Sequence, residues 1–507
     1  MKKFVGFFVT VTILKVGSAV AQDVQDVLQA AAENLGVTNM MSLQYSGTGW
    51  VGAVGQNFSP DLDWSQFDLT SYERTIDFST GSSKEERVLQ QGNNPAMGGG
   101  RSPIQGERRQ TFLVSGSYAW NIQGNNLVPA PAAAELRQLD IYLTPHGFLK
   151  GAMAGNATAI TRNEYGERVT VVSFIALGKY RVNGTITEDH LVRRVQTWLP
   201  NPVVGDLYYE TVYTNYRDIG GVQFPGRWHQ HRDFDDGAQE PNVSGGDHAF
   251  GLETIDEVRI NVGGAALTIP DEVISAAIPP VIVEMESLAD GVWLAGGGSH
   301  NSVVVEFADH MVVIEAPLNE ERSLAVIEAV TSLVPDKPIR FIVNTHHHWD
   351  HLGGLRSYVH EGATVIMHDG NHAYYQEVLR ARPWMLEPDR YSLYPLEEWS
   401  EGYVFETVRE KYILGDETRI IELHHVQDLD HVAGMLIAYL PAEKLVVEAD
   451  LYTPPTPETD APAVPSASNR TFYENLQRLD LDVETIVPIH GRPGPMSAFV
   501  NFVDPTQ

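Results

Sequence analysis

The sequence predicts a chain in two parts, a mostly antiparallel β domain over residues 22–270 and a layered α/β domain over residues 271–507. Three observations carry this. From about Ser71, short alternating apolar segments are separated by turn residues such as Asn183-Gly184 and Pro225-Gly226, the pattern of hairpin-linked strands. From Val281 onward, apolar strands alternate with segments of helical spacing, which indicates sheets covered by helices. Between the two regimes, Pro270, Pro279 and Pro280 interrupt regular structure, and Asn242 to Asp247 marks the near side of the junction.

At 507 residues the chain is too long for one ordinary core, and 43% hydrophobic against 20% charged residues describes a globular protein. Acids outnumber bases 66 to 35, for a formal charge of -31. That balance argues against nucleic acid as a partner, because phosphate binding needs clustered Lys and Arg. A small-molecule substrate is the expected partner, and no motif specifies an oligomeric state. Cysteine is absent, which removes disulfides and thiolate metal ligands together.

Taken in order, residues 1–21 begin with Lys2-Lys3, run apolar from Phe4 to Leu14 and close on Ala19-Val20-Ala21, as a secretory signal peptide does. The apolar run is shorter than a membrane span requires. After cleavage no stable span is expected, and the mature chain should be periplasmic or secreted. Val24 to Leu35 has the spacing of a short amphipathic helix. Strands are expected at Tyr72 to Phe78, Gln110 to Val114, Thr158 to Arg162, Arg168 to Ile175, Tyr180 to Thr185, Val192 to Leu199 and Tyr208 to Tyr213. The Gly- and Asn-rich stretch Asn93 to Gly106 and the stretch Pro129 to Ala134 read as exposed loops. The succession from Val192 through Pro200-Asn201-Pro202 to Phe224-Pro225 resembles the curved sheet of lipoprotein-carrier domains, which wraps an apolar groove. A sheet that only supports the second domain fits the same pattern.

In the second part, Val292 to Leu294, Val303 to Phe307 and Met311 to Glu315 read as successive strands, and Glu320 to Leu333 as a helix ending before Pro335. The strand Ile339 to Val343 then delivers Thr345-His346-His347-His348-Trp349-Asp350-His351, followed by Gly353-Gly354. His346 and His348, two apart where a strand gives way to a turn, can aim both imidazoles at one point, while Asp350 and His351 leave on another side. Nitrogen and carboxylate donors in two adjacent pockets suit zinc or a similar first-row ion. Further ligands must come from other strand ends, and His431, Asp450 and His490 each stand at such an end beside a turn or small residue.

These residues, in this order, give residues of about 281–500 a pattern that resembles the metallo-β-lactamase-fold hydrolases. The resemblance implies an αββα sandwich with the metals at one edge of its two sheets. It implies that His346, His348 and His431 hold a first zinc, that Asp350, His351 and His490 hold a second, and that Asp450 bridges them. Two Zn2+, or other divalent first-row metals, are the implied cofactors, with Asp350 also orienting the nucleophile as the catalytic residue. His347 is expected to point away, and His300 and Asn301 precede a strand, with nothing in the sequence to support a role at the site. His424 and His425 lie close in sequence to His431 but lack its following glycine and strand. Trp384, Tyr391, Tyr394 and Trp399 suggest a substrate wall or a packed cap, and Thr453 to Asn469 a loop beside the site.

The expected function is a secreted or periplasmic dinuclear zinc hydrolase that uses metal-activated hydroxide on a small lactone, ester or thioester. The absence of cysteine and the bridging Asp450 resemble lactonase, thioesterase and phosphodiesterase members more than antibiotic-hydrolysing ones. The alternatives are a phosphodiesterase or β-lactam hydrolase of the same fold, and a non-enzymatic protein that binds an apolar ligand and also carries a metal site.

Overall fold

The computed structural model describes residues 16–232, 248–380, 384–395, 404–455 and 464–505. Most of the expected leader (1–15), the junction residues 242–247, Trp399, and Glu458 and Asp460 of the Pro-rich stretch lie outside them. The first described element is a helix, Val16–Asn34, which lays Leu28, Ala31 and Ala32 into the core of the first half.

Thirteen antiparallel strands then form one sheet, from Asn126–Pro129 at one edge to Thr158–Glu164 at the other. The return strand His248–Ile260 lies in its interior between Ser42–Gly52 and Arg227–His231. Because side chains alternate across a sheet, one face collects Tyr45, Tyr72, Tyr213, Trp228 and Phe250. Tyr45 and Trp228 meet edge to face with ring centroids 5.2 Å apart. The helices Ala134–Tyr142 and Pro145–Ala154 cover this face. Thr144 caps the second by accepting the Gly147 N–H, and Pro145 occupies the first turn, where no donor is needed.

Several details differ from the sequence expectations. Asn183-Gly184 is not a turn but lies within the strand Tyr180–Thr187, paired with Gln196 and Val195. Pro131–Ala133 is a helical turn that feeds Ala134–Tyr142, and Ala134 is buried, so Pro129 to Ala134 is not a free loop. The sheet also begins earlier than Ser71, with Ser42–Gly52. Glycines mask that strand in the sequence: a Cβ on Gly47 would sit 2.1 Å from the Thr254 carbonyl oxygen, and one on Gly49 only 1.9 Å from that of Gly251. These two positions must be bare for the neighbouring strand to approach at its bulges.

The second half is an αββα sandwich. In its first sheet, Glu284–Ala289, Val292–Gly296, Ser302–Glu306 and Met311–Ile314 are antiparallel, and the sheet continues in parallel through Ile339–Val343, Thr364–His368 and Phe405–Val408. Six strands from Lys411–Gly415 to Gly494–Pro495 make the second sheet. Val303, Val305 and Ile314 of one sheet meet Leu423, Leu436 and Val447 of the other in a shared apolar layer. Glu320–Leu333 and Leu355–His360 pack on the outer face of the first sheet through Val326, Val330, Tyr358 and Val359. On the outer face of the second sheet lie Ala467–Arg478 and Met496–Val503. Ser466 caps the former with a reciprocal Asn469 contact, so the last residues of the expected Thr453 to Asn469 loop are helical.

The halves touch directly. Val203 and Val204, in the turn between Val192–Asn201 and Gly205–Thr214, and Leu207 of the latter strand join the apolar cluster built by Val326, Leu352 and Leu355. The segment after the first sheet also stays with it, since Val273 packs on Leu113 and Trp120.

Candidate metal centre

The centre forms where the strands of both sheets end. Ile339–Val343 runs out into Asn344 and Thr345, and the chain then folds into the short helix Trp349–Leu352. Gly353 and Gly354 let this turn lie flat: a Cβ would come within 2.0 Å of the Leu318 carbonyl oxygen at the first and 1.9 Å of Ser323 Oγ at the second. Asp450 follows Leu445–Glu448 in a left-handed conformation, φ 61°. His490 follows Thr485–Pro488, and His431 stands between Ile420–His425 and Leu436–Leu440.

Two groups of potential ligands result, each with its donor atoms within 4.8 Å of one another: His346, His348, His431 and Asp450, and beside them His300, Asp350, His351 and His490. Asp450 reaches both. Its Oδ2 is 2.9 Å from His431 Nε2, 3.4 Å from His346 Nε2 and 3.3 Å from His351 Nε2, and its Oδ1 is 2.8 Å from His490 Nε2. All seven residues named from the sequence therefore lie in one place. His300 is an addition, with Nε2 3.4 Å from Asp350 Oδ2 and its ring 4.0 Å from that of His490. Its only signal in the sequence is a histidine just ahead of the buried strand Ser302–Glu306.

Four of the rings are held from behind by the nitrogen that does not face the centre. His346 Nδ1 is 3.0 Å from Thr345 Oγ1, and His348 Nε2 is 2.9 Å from the Asn57 carbonyl oxygen. His300 Nδ1 is 2.9 Å from Ser299 Oγ. Behind His351 stands Glu315, fully buried, with Oε2 2.7 Å from Nδ1 and Oε1 accepting the Thr345 N–H at 2.6 Å. Such partners orient the rings and suit the tautomer whose inward nitrogen serves as a metal donor. The inward atoms then crowd: His346 Nε2 is 3.0 Å from His348 Nδ1, and His351 Nε2 is 3.2 Å from His490 Nε2. Lone pairs aimed at one another in a dry pocket fit divalent cations, and all nitrogen and oxygen donors suit first-row metals.

Glu315 carries a direct expectation. Glu315→Gln keeps the shape but weakens the hold on His351, and metal affinity measured by competition with a chromogenic chelator should fall about 10- to 100-fold. An unchanged affinity would mean that Glu315 serves only the Thr345 backbone.

Electrostatics follow the burial. Burial, with the neighbouring charge of His351, lowers the His346 pKa to about 4. Burial likewise holds His348 well below the ordinary histidine value. Burial opposes charge on His351 as well, but the carboxylates of Asp450 and Glu315 outweigh it and raise that ring well above the ordinary value. For Asp450, burial is overcome by His351 and the other imidazoles, so its carboxyl is held well below the carboxylate range. Burial pushes Glu448 up to about 8, while its Oε2 accepts the Leu451 N–H at 2.9 Å and so closes the turn that presents Asp450.

The first half of the chain enters the centre, which the sequence did not reveal. Gln56 Nε2 donates to Asp350 Oδ1 at 2.8 Å, and its Oε1 accepts the Gly100 N–H at 3.0 Å. A Cβ on Gly99 would lie 2.9 Å from His348 Cε1. Asn93 to Gly106 is thus not simply an exposed loop: Gly98 and Gly99 are buried, and the Gly98 N–H donates to the Asp430 carbonyl oxygen at 2.9 Å.

The other histidines stand apart. His347 is buried, with Nε2 3.3 Å from Asn57 Oδ1. His424 contacts Glu422, and His425 is 2.9 Å from the Ala433 carbonyl oxygen. Trp384 and Tyr391 hold the Arg356 guanidinium, 4.5 and 4.6 Å from their ring centroids, as a packed cap. Tyr394 is largely exposed.

An αββα sandwich with two clusters of metal-capable donors at one edge of its sheets defines a metal-site domain of the α/β class. Residues 295–490 match the family model described as the metallo-beta-lactamase superfamily. Among solved structures, a metallo-beta-lactamase from Pontibacter korlensis is similar at 16% identity, with 45% of this chain and 100% of that chain covered and a TM-score of 0.33. FIM-1 from Pseudomonas aeruginosa, in a mono-zinc form, is similar at 16% identity over 44% of this chain and 93% of its own, with a TM-score of 0.33. A metallo-beta-lactamase from Hirschia baltica gives 16%, 43%, 95% and 0.31. No curated protein matches the chain.

Proposed function

We propose that the protein is a dinuclear metal-dependent hydrolase of small lactones, esters or thioesters, with two Zn2+ as its resident ions. The observation that carries this is Asp450, whose two oxygens face the two donor groups from between them. When bound, the ions supply Lewis acidity and lower the pKa of water toward neutrality. His346, His348 and His431 would hold one ion and His351, His490 and Asp350 the other, with His300 beside the second. Asp350, fixed on Oδ1 by Gln56 and facing His300 on Oδ2, orients the attacking water and can take up its proton at a carboxylate oxygen. The approach for substrate is on this side, since the side chains of Asp350 and His490 are 38% and 28% exposed while His346 and His351 are fully buried.

The choice of acyl substrates rests on the cysteine-free donor set and the bridging aspartate. We place the mature protein in the periplasm or outside the cell on the strength of the leader pattern in residues 1–21. Among the described residues no helix is long and apolar enough to cross a membrane. The test is metal analysis of the mature protein, paired with turnover of a lactone, a thioester, a phosphodiester and a β-lactam. About two ions per chain and chelator-sensitive cleavage of the lactone or thioester are expected. Cleavage of the phosphodiester or β-lactam alone would reassign the substrate, and absence of metal and turnover after zinc addition would leave a binding protein.

A further inference from the structure

Beneath the helix Ala134–Tyr142, the aromatic face of the thirteen-stranded sheet encloses a cavity of about 370 Å³. Cavities of this size take small organic ligands. Tyr45, Phe224, Trp228 and Phe250 supply much of the wall. Other positions of the lining carry charge: Arg74, Glu85 and Arg87 of neighbouring strands and Arg232 just beyond Arg227–His231, which Arg137 and Asp140 of the helix join. Charge withdrawn from water weakens a fold unless it is paired, so these groups do not follow from the needs of a core.

The pairing is incomplete, and the imbalance has a sign. Arg74 Nη1 lies 2.9 Å from Asp140 Oδ2, and Arg87 pairs with Glu85 through Nε. Arg137 donates through Nη1 to the carbonyl oxygens of Leu113 and Trp120 at 3.0 and 2.9 Å. Arg232 has no carboxylate partner among the described residues; its guanidinium lies 5.1 Å from the Tyr209 ring centroid, and its buried Nε makes no hydrogen bond. Arg87 is stacked 5.5 and 5.2 Å from the ring centroids of Phe112 and Phe250. Among the described residues, four guanidiniums thus face two carboxylates around one cavity, in a chain whose formal charge is -31.

We propose that this cavity binds an apolar monocarboxylate. Its hydrocarbon part would lie against Tyr45, Phe224 and Trp228, and its carboxylate would take the guanidinium donors that Arg87 and Arg232 leave unused. A neutral or cationic amphiphile of the same length would fill the same space and leave the positive charge unanswered. Leu136, 40% exposed on the covering helix and also part of the lining, marks the way in.

Titration calorimetry of the full chain with dodecanoate, dodecanol and dodecyltrimethylammonium, each below its micellar concentration, tests this. Dodecanoate should bind at least about tenfold more tightly than either of the others. Arg232→Gln should weaken dodecanoate by about the same factor, and Leu136→Trp, at a part-exposed site, should block it with the circular dichroism unchanged. Equal binding of all three probes, no binding of dodecanoate, or dodecanoate binding unaffected in Arg232→Gln would overturn the proposal. Asp350→Asn should bind dodecanoate as the parent does, which separates this result from the fate of the hydrolase reading.

Discussion

Asp450→Asn is expected to lower the metal content of the purified protein from about two ions per chain to one or fewer, and to reduce turnover by roughly 10²- to 10³-fold. The substitution is selective. Residue 450 sits at φ 61°, a conformation that asparagine adopts as readily as aspartate, so the turn survives. What is lost is the negative charge between four imidazoles, with an amide N–H2 now aimed at nitrogens that carry lone pairs. Elemental analysis after gel filtration reads the ions, and far-ultraviolet circular dichroism confirms the fold. A variant that kept the parent's full metal complement would show that Asp450 does not join the two groups.

Arg356→Ala is expected to have the largest effect on stability. The Arg356 guanidinium is bidentate on Asp389 through Nε at 2.5 Å and Nη2 at 3.1 Å, and Nη1 donates to the Leu379 carbonyl oxygen at 3.0 Å. Both side chains are nearly buried, and Trp384 and Tyr391 cover the cation. Removing one member of a buried pair strands the other, at a cost of about 3–5 kcal/mol, which lowers Tm by roughly 10 °C for a domain of this size. Burial raises the Asp389 pKa, but the hydrogen bonds and charge of Arg356 outweigh it and depress it. The stability from this pair is therefore present above the ordinary carboxylate pKa and is lost as pH falls through the lower folded value. Arg356→Ala should accordingly differ less from the parent in strong acid than at neutrality. A scanning-calorimetry difference of less than about 2 °C at neutral pH would show the pair to be no more than a surface contact.

How much of this could be read beforehand depends on how local the cause is. The strand Ile339–Val343, the histidines after it and the helix Glu320–Leu333 were legible, because periodicity, the stop before Pro335 and ligand spacing all act within a few residues. His431, Asp450 and His490 were reachable as strand-end donors once a metal required them. Glu315 was not: the sequence shows only an acid at the end of an apolar strand, and its meaning comes from His351, brought to it by the fold. Gln56 and Asn57 were less legible still, since the groups they hold lie almost three hundred residues later. Ser42–Gly52 was hidden for the opposite reason. Its glycines look like loop composition and are in fact the places where another backbone needs the room.

The reach of residues 56–57 and 98–100 into the centre would make any ion bound there a fastener between the two halves. Whatever free energy the metals contribute on binding is shared by the segments that hold His348 and Asp350 in place, and mass action passes it on to the first sheet. A separately produced second half would keep every ligand and still be a different receptor for metal. Its His348 ring would be free to turn over and its Asp350 carboxylate free to swing, because the carbonyl and the amide that aim them belong to the other half of the chain.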